Sequence, residues 1–302
     1  MQKVSVSIPA VSTNVGPGYD VLGLALNFRN VIEMSLRTDD QLTVEVRGEG
    51  KGVLPENYYH PAMEAAIRLF QHLEQAPVGL SVRAHNAIPL DVGLSARATM
   101  VVGGLVGANN LVGSPFSHDK LIEMAAAITG QPESVVTAMR GGLGICSQGP
   151  SGLLYRAIET TPMRVVLVVP HLPDYQRRLR PDLPGKFDMA DVVYNIGHTA
   201  LLIEALRRGD FKLLRDALDD RLHEPTRREQ IPAYPAVVRA AQEAGAAAVA
   251  LCGAGPALVA FAAYNHQLIE ETMRDAFQAA GIEARTWSVG VDMQGVVISV
   301  VE

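Results

Sequence analysis

Twenty consecutive residues, 244–263, carry no charge, and this run limits the possible folds more than any other feature of the chain. A membrane-spanning helix needs about 20 strongly apolar residues. This run is rich in alanine and is broken at its centre by Gly253, Gly255 and Pro256. It therefore predicts a strand, a tight turn and a second strand inside a globular protein. The opening residues MQKVSVSIPA hold no long apolar core and no cleavage signature, so the expectation is a cytoplasmic protein without a membrane segment. The remaining composition agrees: 48% of the 302 residues are hydrophobic and 19% are charged, enough to bury a sizeable core in one large or two ordinary domains. A formal net charge of −6 argues against a dedicated nucleic-acid binder, which needs a basic face. The two cysteines, Cys146 and Cys252, stand in apolar or glycine-rich sequence with no metal-ligand spacing, and are expected to be inert buried thiols.

Alternation at Val4, Val6 and Ile8 predicts a first strand, and similar patterns predict strands over 42–46, 78–83, 164–169 and 296–301. Helical spacing predicts helices over 61–73, 119–128, 188–206, 211–222, 235–244 and 267–280. The segment 93–112 is glycine- and alanine-rich and reads as a loop running into a buried, closely packed helix. Strands and helices intermix without a strict βα repeat, so the fold class is α+β. A cluster of Gly149, Pro150 and Gly152 suggests two domains, 1–155 and 156–302.

Three glycine-rich segments can carry chemistry. Residues 9–27 combine Gly16, Pro17 and Gly18 with Asn14 and Asp20, a loop able to orient a small polar ligand, with Asp20 suited to an ammonium. The plain alternative is a turn whose side chains only cap backbone groups. Residues 86–104 place a loop before a helix, and free N–H groups there hold phosphate. No Gly-x-x-x-x-Gly-Lys pattern occurs, so this is not the common nucleotide P-loop. Residues 252–261 form a turn that a ligand or another backbone can approach closely. His60, His85, His198, His223 and His266 have no partner constellation in the sequence.

In this order and spacing the three segments resemble those of the GHMP kinase superfamily, and within it the homoserine kinases. Asn14, Gly16, Pro17, Gly18, Tyr19, Asp20 and Gly23 carry the likeness in the first segment, and 252–258 in the third. The run DRLHEPTR (220–227) with Ile231 and Pro232 is similar to a stretch characteristic of homoserine kinases. The resemblance implies a two-domain α+β fold with the active site in the cleft between domains. It implies transfer of the γ-phosphate of ATP, with Mg2+, to the side-chain hydroxyl of L-homoserine in threonine biosynthesis. It implies a small-molecule amino-acid substrate, no nucleic-acid or membrane partner, and a homodimer in some relatives. By the same match, Asn14, Asp20, Ser134, Arg180 and Arg227 fall at substrate positions. Asn57, Gly93, Leu94, Ser95, Ala96, Arg97, Ala98, Thr99, Gly253 and Gly255 fall at nucleotide positions. Glu123 aligns with the acidic magnesium ligand, and Glu123 with Arg97 stand as the catalytic candidates.

The departures concentrate at the phosphates. The family's Gly-Leu-Gly-Ser-Ser-Ala reads Gly93-Leu94-Ser95-Ala96-Arg97-Ala98, and one of the lost hydroxyls ordinarily reaches the metal. Its His-Pro-Asp-Asn reads Gln131-Pro132-Glu133-Ser134, and a substrate-side threonine becomes Gln176. Arg97 either repels Mg2+ or grips phosphate directly, with Ser95 or Thr99 offering a substitute hydroxyl. Three readings follow: a kinase using ATP, a relative that has abandoned ATP and takes a related or phosphorylated amino acid with no cofactor, and a non-catalytic amino-acid-binding module.

Overall fold

The computed structural model describes residues 3–173, 175 and 183–301. Its first sheet has seven strands: β1 (Lys3–Thr13), β2 (Leu22–Arg37), β3 (Leu42–Gly48), β4 (Gly79–Asn86), β5 (Leu143–Gly149), β6 (Gly152–Ile158) and β11 (Val297–Val301). The order is β11-β1-β2-β4-β3, with β5 joining β2 and β6 joining β5. All pairs are antiparallel except β3 with β4. The alternation expected in β1 is present, with Val4, Val6 and Ile8 fully buried between partly exposed Lys3, Ser5 and Ser7.

Behind this sheet pack α1 (Pro61–His72), α2 (Ala96–Leu111), α3 (His118–Thr129) and α4 (Pro132–Arg140). Helix α2 is the buried helix expected from 93–112, with all its residues but Arg97 and Asn110 buried. Its glycines permit the approach: a Cβ on Gly104 would lie 2.1 Å from the Ala62 carbonyl oxygen of α1, and one on Gly103 would lie 2.5 Å from Ile32 of β2.

The second sheet has order β10-β7-β9-β8, all antiparallel, from β7 (Arg164–Pro170), β8 (Ala248–Leu251), β9 (Leu258–Phe261) and β10 (Ala284–Gly290). Strands β8 and β9 are the strand–turn–strand expected from the uncharged run. Helices α8 (Tyr234–Glu243) and α9 (His266–Ala279) pack against one face, where Val237, Ile269, Met273 and Phe277 join Val166 and Val168 in a second core. Helices α5 (Met189–Arg208), α6 (Phe211–Ala217) and α7 (Glu224–Arg228) connect the two halves. Leu202, Leu206 and Leu214 of α5 and α6 belong to the main core. Among the described residues, no helix is long and apolar enough to cross a membrane.

Two features differ from the sequence expectation. The division after residue 155 falls inside β6, and β11 returns from the far end of the chain to pair with β1. The first sheet is thus built from both ends of the chain. The helix expected over 211–222 stops at Ala217. Beyond it, the Asp220 carboxylate accepts the N–H groups of His223 and Glu224 at 2.8 and 2.7 Å and starts α7 instead.

Candidate active site

The three glycine-rich segments meet. The N–H of Gly253 donates to the carbonyl of Thr13 at 2.8 Å, that of Val11 to Leu94 at 3.3 Å, and that of Ala257 to Val92 at 3.2 Å. Gly93 has φ +88°, and a Cβ there would stand 1.7 Å from the Cys252 carbonyl oxygen. Only glycine satisfies both conditions. The meeting point opens into a cleft of about 530 Å3. A wider groove of about 1130 Å3 lies across Asp91, but none of the expected site residues that the structure describes lines it.

Asn14 and Asp20 line one end of the cleft, both with left-handed backbone, and the Asn14 side-chain oxygen accepts the Asp20 N–H at 2.9 Å. Both conditions constrain the loop that brings Asp20 to the cleft lining. Burial raises the Asp20 pKa above its ordinary value, offset in part by nearby His223 and Arg227. Arg227 comes from α7, is 9% exposed, and its buried Nε has no protein partner. An ammonium-seeking carboxylate and a carboxylate-seeking guanidinium therefore share one hollow.

The DRLHEPTR run locks this arrangement. His223 Nε2 donates to the Gly16 carbonyl at 2.9 Å, and its ring lies 5.1 Å from that of Tyr19. Burial lowers the His223 pKa and favours the neutral ring. Glu224 accepts the Leu251 N–H of β8 at 3.0 Å, and complete burial pushes its carboxyl up to about 8. The short helix carrying Arg227 is thereby tied to the first loop on one side and to the second sheet on the other.

The opposite end of the cleft is the start of α2. Gly93, Ser95, Ala96, Arg97 and Ala98 line it, with Gly253 and Gly255 facing them. Ser95 occupies the N-cap at φ 57° and ψ 31°, yet its side chain caps nothing. Its hydroxyl donates to the Val11 carbonyl at 3.1 Å and meets Ser134 Oγ at 3.0 Å. The first N–H groups of α2 are left without a side-chain acceptor, the condition for holding an anion at a helix start. The serine that replaces the family's glycine has turned its hydroxyl away from these donors, so it does not close the cradle.

Several expected residues lie elsewhere. Leu94 is buried beneath the loop, a packing residue. Thr99 is fully buried, with its hydroxyl donating to the Ala96 carbonyl at 2.7 Å and accepting from Asn30 at 3.0 Å. Ser134 is buried behind Ser95 and does not line the cleft. Asn57 is exposed, also off the cleft lining, with its side-chain oxygen accepting the Tyr59 N–H at 2.9 Å. Arg180 and Gln176 lie outside the described residues.

The expectation for Glu123 is corrected. Its side chain is 61% exposed on α3, pairs with Lys120 at 3.1 Å, and is absent from the cleft lining. Glu133 of α4 does line the cleft, and burial, followed by the Asp20 charge, raises its pKa. Sequence reasoning noted Glu133 only as a departure from a motif. The available signal was its place after Pro132 at a helix start, which aims a first-turn carboxylate at whatever packs there.

A phosphate chain suits the open N–H groups of α2 and the cramped glycines. A protein-held Mg2+ does not suit this site. The groups expected to hold it are not available: Glu123 stands off the cleft, and the hydroxyls of Ser95 and Thr99 are engaged elsewhere. Both cysteines are buried, and burial pushes each thiol up to about 12, as expected of inert thiols.

Comparison with known proteins agrees with this geometry. Family models for the GHMP kinases N terminal domain and GHMP kinases C terminal match residues 60–142 and 202–282. The chain is 36% identical to a homoserine kinase of Microchaete diplosiphon, with 98% of this chain and 97% of the relative covered. It is 40% identical to one of Symbiobacterium thermophilum, with 97% and 93% covered. The fold matches a crystal structure of homoserine kinase from Cytophaga hutchinsonii with TM-score 0.86, 23% identity and coverage of 98% and 97%. It matches L. major mevalonate kinase in complex with R-mevalonate with TM-score 0.69, 15% identity and coverage of 96% and 95%. The α+β GHMP kinase fold implied by the glycine-rich segments is therefore the fold of this protein, and the chain belongs to the homoserine kinase family of the GHMP kinases.

Proposed function

We propose that this protein transfers the γ-phosphate of ATP to the side-chain hydroxyl of L-homoserine. The observation that carries this reading is that Asp20 and Arg227 line the same cleft as the uncapped start of α2. An α-amino acid has its ammonium and carboxylate close together, and the Asp20–Arg227 end offers a partner for each. The N–H groups of α2 hold the phosphate chain at the other end. The acceptor hydroxyl, on the amino acid's side chain, then points along the cleft toward the γ-phosphorus.

In the transfer, the hydroxyl oxygen forms a bond to the γ-phosphorus and the bond to the β–γ bridging oxygen breaks. ADP leaves with the bonding pair, and the hydroxyl proton is released. The protein's share is positioning and charge complementarity, which is most of what phosphoryl transfer requires. Asn14 and His223 keep the Asp20 loop in place, and Glu224 seats the helix bearing Arg227. The two carboxylates, Asp20 and Glu133, give the amino-acid end a negative character that selects an ammonium.

Relatives matched over nearly their whole length are named for this activity, which supports the kinase reading over abandonment of ATP. A cytoplasmic setting and a place in threonine biosynthesis accompany the same reading. The test is direct. Purified protein with ATP, Mg2+ and L-homoserine is expected to release ADP and to give a new phosphomonoester signal in 31P NMR. Release of ADP no faster than in a control without homoserine would reject this function.

A further inference from the structure

The hydroxyl that the family motif places at the start of α2 is replaced here by Arg97, and the surrounding groups show what took over. The Ser95 hydroxyl donates to the Val11 carbonyl, and its oxygen meets the Ser134 hydroxyl. Thr99, one turn into the helix, gives its hydroxyl to the Ala96 carbonyl and receives the Asn30 amide. Glu123 stands off the cleft beside Lys120. None of the three is placed to ligate a cation on the phosphates. Arg97 lines the cleft on the first turn of α2, beside the open N–H groups, and its side chain is 65% exposed. Among the described residues it pairs with Glu64 at 4.0 Å, and Glu64 is itself held by Arg68 at 2.8 Å. The guanidinium is thus weakly engaged and within reach of an anion seated on the helix start.

We propose that Arg97 supplies the positive charge that a protein-held metal supplies elsewhere, so that this chain binds the nucleotide's phosphates without a metal ion. A guanidinium offers paired planar donors to two phosphate oxygens, and its charge adds to that of the helix start. Arg227 serves the amino-acid end, which leaves Arg97 as the cation of the phosphate end among the described cleft residues. Any Mg2+ that accompanies ATP is then carried by the nucleotide alone.

This inference rests on the kinase reading, and the experiment separates the two. Calorimetric titration with ADP is run on the full chain in EDTA and again in saturating Mg2+, for the native protein, Arg97→Ala and Arg97→Ser. The native protein is expected to bind metal-free ADP within about tenfold of its affinity for the magnesium complex. Arg97→Ala is expected to lose about tenfold or more of the metal-free affinity while losing less in Mg2+. Arg97→Ser restores a hydroxyl at this position and is expected to make binding depend on Mg2+. The side chain is largely exposed, so both variants should fold, and their melting temperatures verify it. Native binding only in Mg2+, or an equal loss in both conditions for Arg97→Ala, overturns the proposal and leaves the kinase reading standing. Absence of ADP binding in either condition removes both.

Discussion

Ser95 Oγ lies 3.0 Å from Ser134 Oγ, so two positions that depart from the family's motifs, one on the phosphate loop and one on α4, touch each other. The contact explains how a non-glycine residue is kept at φ 57° there. Left-handed backbone costs an ordinary residue about 1–2 kcal/mol. The hydrogen bonds to Ser134 and the Val11 carbonyl offset part of that cost.

Ser95→Ala should therefore destabilise more than Ser95→Gly, because alanine keeps the strain and loses both bonds. We expect a loss of about 1–2 kcal/mol for alanine and about half as much or less for glycine, read from urea midpoints. A double-mutant cycle with Ser134→Ala should show a coupling of about 0.5–1.5 kcal/mol. Additive effects would show that the two hydroxyls do not interact.

At the amino-acid end, Arg227→Ala should raise KM for homoserine roughly 10- to 150-fold, the equivalent of about 1.5–3 kcal/mol for a lost charge-assisted contact. Arg227→Lys should recover little, since a point charge does not reproduce the planar fork. The KM for ATP should change far less. A comparable rise in both constants would place Arg227 at the phosphates instead.

Gly93→Ala combines a positive φ with a Cβ overlapping the Cys252 carbonyl. It should lower stability by at least about 2 kcal/mol and weaken ADP binding, because the phosphate loop and the 252–256 turn cannot remain in contact. Calorimetric melting with and without ADP checks both effects. Native-like melting and binding would mean the two segments are not packed together.

Glu224 gives a pH dependence of stability with a definite sign. Its carboxyl sits at about 8 in the folded chain against an ordinary value of 4.5. Between these values the folded state holds a proton that the unfolded state has released, so stability falls as pH rises, by up to about 1.4 kcal/mol per unit. Below about 4.5 the contribution is complete, and above 8 it changes no further. Buried His223, whose pKa is lowered, acts the other way and loses stability as pH drops below about 6.5. Glu224→Gln should remove only the first component. Urea midpoints of both proteins from pH 5 to 8 test this, and parallel curves would contradict it.

Glu123→Gln should leave the Mg2+ dependence of ADP binding unchanged, because this carboxylate stands off the cleft. The same titration in EDTA and in Mg2+ measures it. A selective loss in Mg2+ would restore Glu123 as a metal ligand.

Much of the architecture was legible in the sequence where one periodicity dominates. Residues 3–8 alternate because one face of β1 is buried and the other is not, and 61–72 form an amphipathic helix for the same reason. Strand β2, the longest, escaped notice. Its first five residues are all buried, so alternation disappears where β5 joins and α4 covers it. Within the site, Asn14, Asp20, Arg227 and the loop 93–98 were identifiable from the segments that carry them. Glu133 was not, and the true surroundings of Glu123 and Asn57 were invisible.

The sequence by itself determined which segments bend tightly, which are buried, and which family's motifs they form. Glycine, proline and apolar spacing act over a few residues, so they can be read locally. Only the tertiary structure decided what each polar side chain does. Ser95 and Thr99 carry hydroxyls one turn apart at the start of α2, yet one reaches Ser134 from α4 and the other Asn30 from β2. Those partners are 39 and 69 residues away along the chain. A hydroxyl's role is set by its nearest partner in space, and packing alone brings such partners together.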